Sequence, residues 1–162
     1  DILDTRQPMF PGLDGATMKI YLAHPYAQLE RGMKLAADLR GCGWTVINPF
    51  ERQMQDELSA VVASGRAFTD EQCRQIVLGD LAQIDEVDVV VAIFTGNNQV
   101  GTIMEMFYAS YVRRIPVVTL YEMEYLGNGR YHPWVQYLTD IYLKWEDVCR
   151  RLVQIEQQRH LW

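Results

Sequence analysis

Residues 87–120 limit what this chain can fold into. They open with Val87-Asp88-Val89-Val90-Val91-Ala92-Ile93-Phe94, a β-branched and aromatic run with a single charge. A strand covered on both faces needs a run without polar alternation, and such strands belong to parallel sheets. The turn Thr95-Gly96-Asn97-Asn98-Gln99-Val100-Gly101-Thr102 follows. Residues 103–112 then read as a helix, and residues 113–120 bring in a second apolar strand. Strand, loop, helix and strand in that order form the unit of a parallel α/β sheet. Ligands of open α/β sheets sit at the carboxyl ends of the strands. The loop 95–102 is therefore where chemistry is expected.

Glu105 carries two readings there. Thr102-Ile103-Met104-Glu105 has the spacing of a capping box, in which threonine and glutamate satisfy each other's backbone N–H groups. Alternatively, Glu105 is a carboxylate near the positive end of a helix dipole at the mouth of the sheet, able to attack an electron-poor carbon. A capping carboxylate is occupied, so the two readings exclude each other in large part.

A length of 162 residues suits one domain with one proper core. The net charge of −6 argues against a surface for nucleic-acid polymers, yet leaves room for a small anionic substrate held by a few local donors. No apolar run approaches the roughly 18 residues that span a bilayer, and no secretory pattern is evident. Cys42, Cys73 and Cys149 are odd in number and lack metal spacing, so they read as buried or free thiols of a reducing cytoplasm. There is no zinc cluster, Walker motif or Gly-x-Gly-x-x-Gly, so neither metal nor cofactor is expected.

In chain order, residues 1–17 read as an irregular leader or extension, and 18–162 as a single domain. Lys19-Ile20-Tyr21-Leu22-Ala23 is a first strand. A helix over 28–40 follows, with Leu29, Met33, Leu35, Ala36 and Leu39 on its apolar side, ended by Gly41 and Gly43. Trp44-Thr45-Val46-Ile47 is a second strand, stopped by Asn48-Pro49. Residues 50–68 form a long connection with a short helix. A helix over 69–86 has the stripe Cys73, Ile76, Val77, Leu81 and Ile84, with Asp80 inside it. A carboxylate in that stripe is paired, at the edge of a buried face, or working. Residues 121–129 read as an acidic loop, Ile141-Tyr142-Leu143 as a fifth strand, and 145–158 as a last helix. Five strands with helices between most of them favour a doubly wound three-layer sandwich.

Several of these pieces resemble the nucleoside 2-deoxyribosyltransferase family, which includes nucleotide N-glycosidase relatives. They are residues 19–23 at the first strand, Gly79-Asp80-Leu81 ahead of Asp88-Val89-Val90-Val91-Ala92, and Gly101-Thr102 followed by Glu105 and Tyr108-Ala109. The match covers residues 18–120 well and the C-terminal part poorly. The resemblance implies a flavodoxin-like α/β sandwich with a five-stranded, mainly parallel sheet. It implies that Glu105 attacks C1′ of a (deoxy)ribosyl group, that Tyr21 orients Glu105, and that Asp80 lies near the base or sugar. Transfer of the sugar to another nucleobase is then expected. The alternatives are release of free base and sugar phosphate from a nucleoside 5′-monophosphate, or a non-catalytic nucleotide-binding module.

Two departures stand out. Gln99 occupies the position where the family usually has an aspartate that assists the base, and glutamine is no acid. Phe107 stands where glycine is common. The loop after the first strand offers His24 and Arg31 as anion ligands without the glycine-rich cradle of the nucleotide hydrolases. The bland readings, Arg31 as an exposed helix residue and His24 as a local hydrogen-bonding one, are the ones favoured by the residues alone. Asn48, Gln99, Gly101 and Thr102 complete the expected substrate-binding set. The family's sites are completed by a neighbouring subunit, which implies a homo-oligomer. Trp134 and Tyr137 are then either contributors to a partner's site or ordinary core or interface aromatics.

Overall fold

The computed structural model describes residues 17–53, 57–96, 99–123 and 131–159. Nearly all of the expected leader and most of the 121–129 loop lie outside these residues. Five strands form one sheet: β1 (Lys19–Ala23), β2 (Thr45–Ile47), β3 (Val89–Phe94), β4 (Val117–Tyr121) and β5 (Asp140–Tyr142). Their order is β2-β1-β3-β4-β5, and every pairing is parallel. This is the flavodoxin-like order, with its switch point between β1 and β3.

The helices are α1 (Leu29–Gly41), α2 (Pro49–Gln53), α3 (Glu57–Ser64), α4 (Asp70–Ile84), α5 (Val100–Phe107), α6 (Pro133–Leu138) and α7 (Trp145–Arg159). A π turn, Tyr108–Val112, continues α5. Side chains of a strand alternate between faces. Ile20 and Leu22 of β1, with Val89, Val91 and Ile93 of β3, therefore pack against Leu35, Ala36 and Leu39 of α1 and Val148, Leu152 and Ile155 of α7. Tyr21 and Ala23, with Val90, Ala92 and Phe94, turn the other way toward Ile84, Met106, Ala109 and Val135. All six residues of β3 are buried because both faces are covered, which is why their sequence shows no alternation.

Three local expectations fail. The helix after β3 starts at Val100, with Gln99 as an N-cap that makes no side-chain cap bond. Thr102 is thus already inside the helix, and its capping box with Glu105 does not form. A capping box does open α4, where Thr69 accepts from the Gln72 N–H and Gln72 accepts from the Thr69 N–H. The apolar stripe of α4 is also shallower than its spacing implied. Only Ile84 is buried, while Cys73 and Val77 are exposed. On α1, Met33 likewise points outward.

Candidate active site

The switch point puts the loops after β1 and β3 on either side of a crevice, because α1 leaves toward one face and α5 toward the other. From the α5 side comes Glu105. Tyr21, fully buried in the middle of β1, points to the same face, and its hydroxyl donates to Glu105 Oε1 at 3.0 Å. The pair joins residues 84 apart in sequence. Glu105 as a whole is half-buried, but its carboxyl end is enclosed. That enclosure, with the charge of Asp80 on α4 as the smaller contribution, raises the carboxyl from 4.5 to about 8 against the opposing Tyr21 hydrogen bond. At neutral pH the resting carboxyl therefore holds its proton. Three elements that are not neighbours in sequence thus bring Tyr21, Asp80 and Glu105 together.

A second group sits at the ends of β1 and β2. His24 is buried, with Nδ1 3.1 Å from the Pro25 carbonyl oxygen and Nε2 3.1 Å from Asn48 Oδ1. Asn48 Oδ1 also accepts from the Phe50 N–H, and the Phe50 ring packs on the imidazole at 4.7 Å. Burial pulls His24 below its usual 6.5, against these two hydrogen bonds. A neutral ring carries one N–H, so it donates to one of the two oxygens at a time. His24 is therefore a poor anion ligand. The Asn48 amide nitrogen is buried with no hydrogen-bond partner among the described residues, which leaves a donor available.

Gly32 of α1 lies against this ring. A Cβ at position 32 would fall inside the His24 imidazole. Gly32→Ala is expected to destabilise the fold by about 2 kcal/mol, the usual scale of overpacking. Thermal or urea unfolding checks this, and an unchanged midpoint would contradict the packing described.

Gln99 works on the loop itself. Its Oε1 accepts from the Thr95 and Gly96 N–H groups, each at 2.6 Å, and its Nε2 donates to the Ile93 carbonyl at 2.8 Å. Both oxygen lone pairs are engaged and the side chain is buried, so in this structure Gln99 staples the β3–α5 turn. Arg31 is likewise engaged within the chain. Both arms of its guanidinium bind the Glu122 carboxylate, so it is not a free anion ligand. Gly101 and Thr102 sit in the first turn of α5. A Cβ on Gly101 would meet nothing within 4 Å, and Thr102 Oγ1 is buried without a hydrogen-bond partner among the described residues.

Glu122, Phe50 and Gly32 were missed by the sequence reading. Gly32 alone left a signal there, since glycine inside a helix is costly and marks close approach. Trp134 is 58% exposed and Tyr137 81% exposed. They are not core aromatics of this chain. With Phe107, Tyr111, Pro133 and Leu138 they line a groove of about 500 Å³ in which Glu105 takes no part. Among the described residues no three His, Cys, Asp or Glu side chains gather as a metal site, and no helix is long and apolar enough to cross a membrane.

No protein-family model and no curated protein matches the chain. Among solved structures it is similar to a 2-deoxyribosyltransferase from the psychrotolerant bacterium Bacillus psychrosaccharolyticus. The identity is 27% over 80% of this chain and 89% of that one, with a TM-score of 0.61. A conserved protein from Enterococcus faecalis shares the fold at 22% identity, covering 88% of this chain and 99% of its own, with a TM-score of 0.59. A CMP N-glycosidase from Clostridium botulinum is a looser likeness, 20% identical over 84% of this chain and 98% of its own, with a TM-score of 0.47. The resemblance read from the motifs and the flavodoxin-like fold thus agree with solved structures.

Proposed function

We propose that this chain cleaves the N-glycosidic bond of a (deoxy)ribonucleoside, with Glu105 as nucleophile, and passes the sugar to a second nucleobase. The observation that carries this reading is an enclosed glutamate, oriented by Tyr21 and crowded by Asp80, at the switch point of the sheet. The transferase from Bacillus psychrosaccharolyticus, with the same fold, supports the substrate class.

The chemistry balances without an outside acid. The Glu105–Asp80 pair begins with one proton. A Glu105 oxygen attacks C1′, the C1′–N bond breaks, and the proton passes through Asp80 to the departing base nitrogen. The products are a glycosyl ester on Glu105 and a neutral free base. The incoming base reverses these steps, forming a new C1′–N bond and returning its proton to the pair. Gln99 need not act as an acid in this scheme. As C1′ becomes positive in the oxocarbenium-like transition state, the ionised form of Glu105 is favoured.

The 5′-monophosphate hydrolase reading asks for free anion ligands, and both candidates are engaged: Arg31 by Glu122, and His24 by burial and its two oxygens. The nucleoside reading is therefore preferred. Chromatography of nucleosides and 5′-monophosphates, with and without adenine or cytosine as acceptor, tests it. A new nucleoside formed only with acceptor is expected. Free base and sugar phosphate formed from a monophosphate would replace it with the hydrolase reading, and no turnover would favour the binding module.

Tyr21→Phe removes a donor to the attacking group. A hydrogen bond to a charged group contributes about 1.5–3 kcal/mol, so kcat/KM is expected to fall roughly 10- to 100-fold. Because that bond holds the Glu105 carboxyl down, the alkaline limb of the pH profile should also move upward. An unmoved limb would deny Tyr21 its role in orienting Glu105.

A further inference from the structure

We infer that Glu122 is a specificity-determining residue, which keeps the crevice selective for uncharged nucleosides by occupying the Arg31 guanidinium. This rests on the nucleoside reading above. Arg31 is the third residue of α1, on the helix that leaves the carboxyl end of β1. Glu122 is the first residue beyond β4. Strand β3 lies between β1 and β4, so the ion pair passes over the carboxyl end of β3, where the loop to α5 begins. That places it on the α1 flank of the crevice whose α5 flank bears Glu105.

The start of α1 has the makings of an anion site. Gln28, which caps it, makes no side-chain cap bond, and the depression beside it is lined by Ala27, Gln28, Glu30, Arg31 and Lys34. The Leu29 N–H at that start is already bonded to the Tyr26 carbonyl, so it is the helix dipole and the guanidinium that favour an anion there. Glu122 supplies that anion from within the chain. Its carboxylate takes both arms of Arg31, and its own N–H donates to the Phe94 carbonyl at 2.8 Å, which anchors it at the strand end. The Arg31 side chain is 39% exposed and that of Glu122 27% exposed, so the pair is open to solvent and to a charged group arriving at that flank. A 5′-phosphate arriving there finds a carboxylate instead of a free guanidinium. A 5′-hydroxyl carries no charge for that carboxylate to repel.

The consequence is a loss of selectivity when Glu122 is removed. The half-exposed pair contributes little to stability, so its variants are expected to fold. Binding of 2′-deoxyadenosine and of its 5′-monophosphate is measured by isothermal calorimetry on the parent, Glu122→Ala, and Arg31→Ala combined with Glu122→Ala. Turnover of both compounds is followed in parallel. Glu122→Ala should tighten monophosphate binding at least tenfold and leave nucleoside binding within twofold. The double variant should return the monophosphate to the parent value, because the freed guanidinium is then gone. Monophosphate affinity within twofold of the parent in Glu122→Ala overturns the inference, as does equal tightening in the double variant. If nucleosides are bound and cleaved while selectivity stays fixed, this inference alone falls. If neither compound binds any of the three proteins, the nucleoside reading falls and takes the inference with it.

Discussion

Glu105→Gln is expected to lower kcat/KM for glycosidic cleavage by at least about 10³-fold while the protein remains folded. The size follows from what is removed. An amide oxygen is a far weaker nucleophile than a carboxylate, and the amide cannot hold and release the proton that balances the departing base. The fold should survive because Glu105 does not cap α5, and a glutamine keeps an oxygen for the Tyr21 hydroxyl. Product chromatography gives the rate. Mass spectrometry of the intact protein, quenched after mixing with nucleoside in the absence of acceptor, should show a sugar-sized adduct on the parent and none on the variant. Activity within tenfold of the parent would remove Glu105 from the chemistry. The crevice would then read as a binding site.

Much of the fold was legible because it depends on local patterns. The unbroken apolar run of β3 required two covered faces, and Gly41 and Gly43 at the end of α1 and the proline beyond β2 marked real ends. The grouping of Asp80 and Glu105 in one candidate site was legible only because a motif fixed their spacing. What was lost depends on pairs distant in sequence or on the exact start of a helix. Thr102 and Glu105 have the spacing of a capping box, but α5 starts at Val100, so the threonine falls a turn too late. Arg31 and Glu122 are 91 residues apart, and nothing local to Arg31 shows that its charge is engaged. Gln99 read as a substrate-binding residue in place of an acid because only its position was visible; its three hydrogen bonds to backbone are a property of the folded turn. The stripe on α4 had the right period but packs against the sheet only at Ile84 among its stripe residues.

The second large effect is on pH. With Glu105 raised to about 8, the site in its one-proton form is populated below that pH and lost above it. In the proposed reaction that proton leaves with the base, so kcat/KM should fall tenfold per unit above about pH 8. Because Asp80 and Glu105 interact, the limb belongs to the pair. A rate that instead rises through pH 8 would mean that Glu105 must start ionised and the base leaves without this proton. Stability carries the same signature with a fixed sign. Between the unfolded value of 4.5 and the folded value of about 8, the folded chain binds the extra proton, so stability is full below 4.5 and is lost as pH rises through 8. At about 1.4 kcal/mol per pKa unit the loss is on the order of 5 kcal/mol. Glu105→Gln has no such loss. Its Tm should match the parent near pH 5 and exceed it by roughly 10 °C near pH 9. A constant difference across that range would mean that the carboxyl is not enclosed in solution, and the nucleophile would then have to work as an ordinary exposed glutamate.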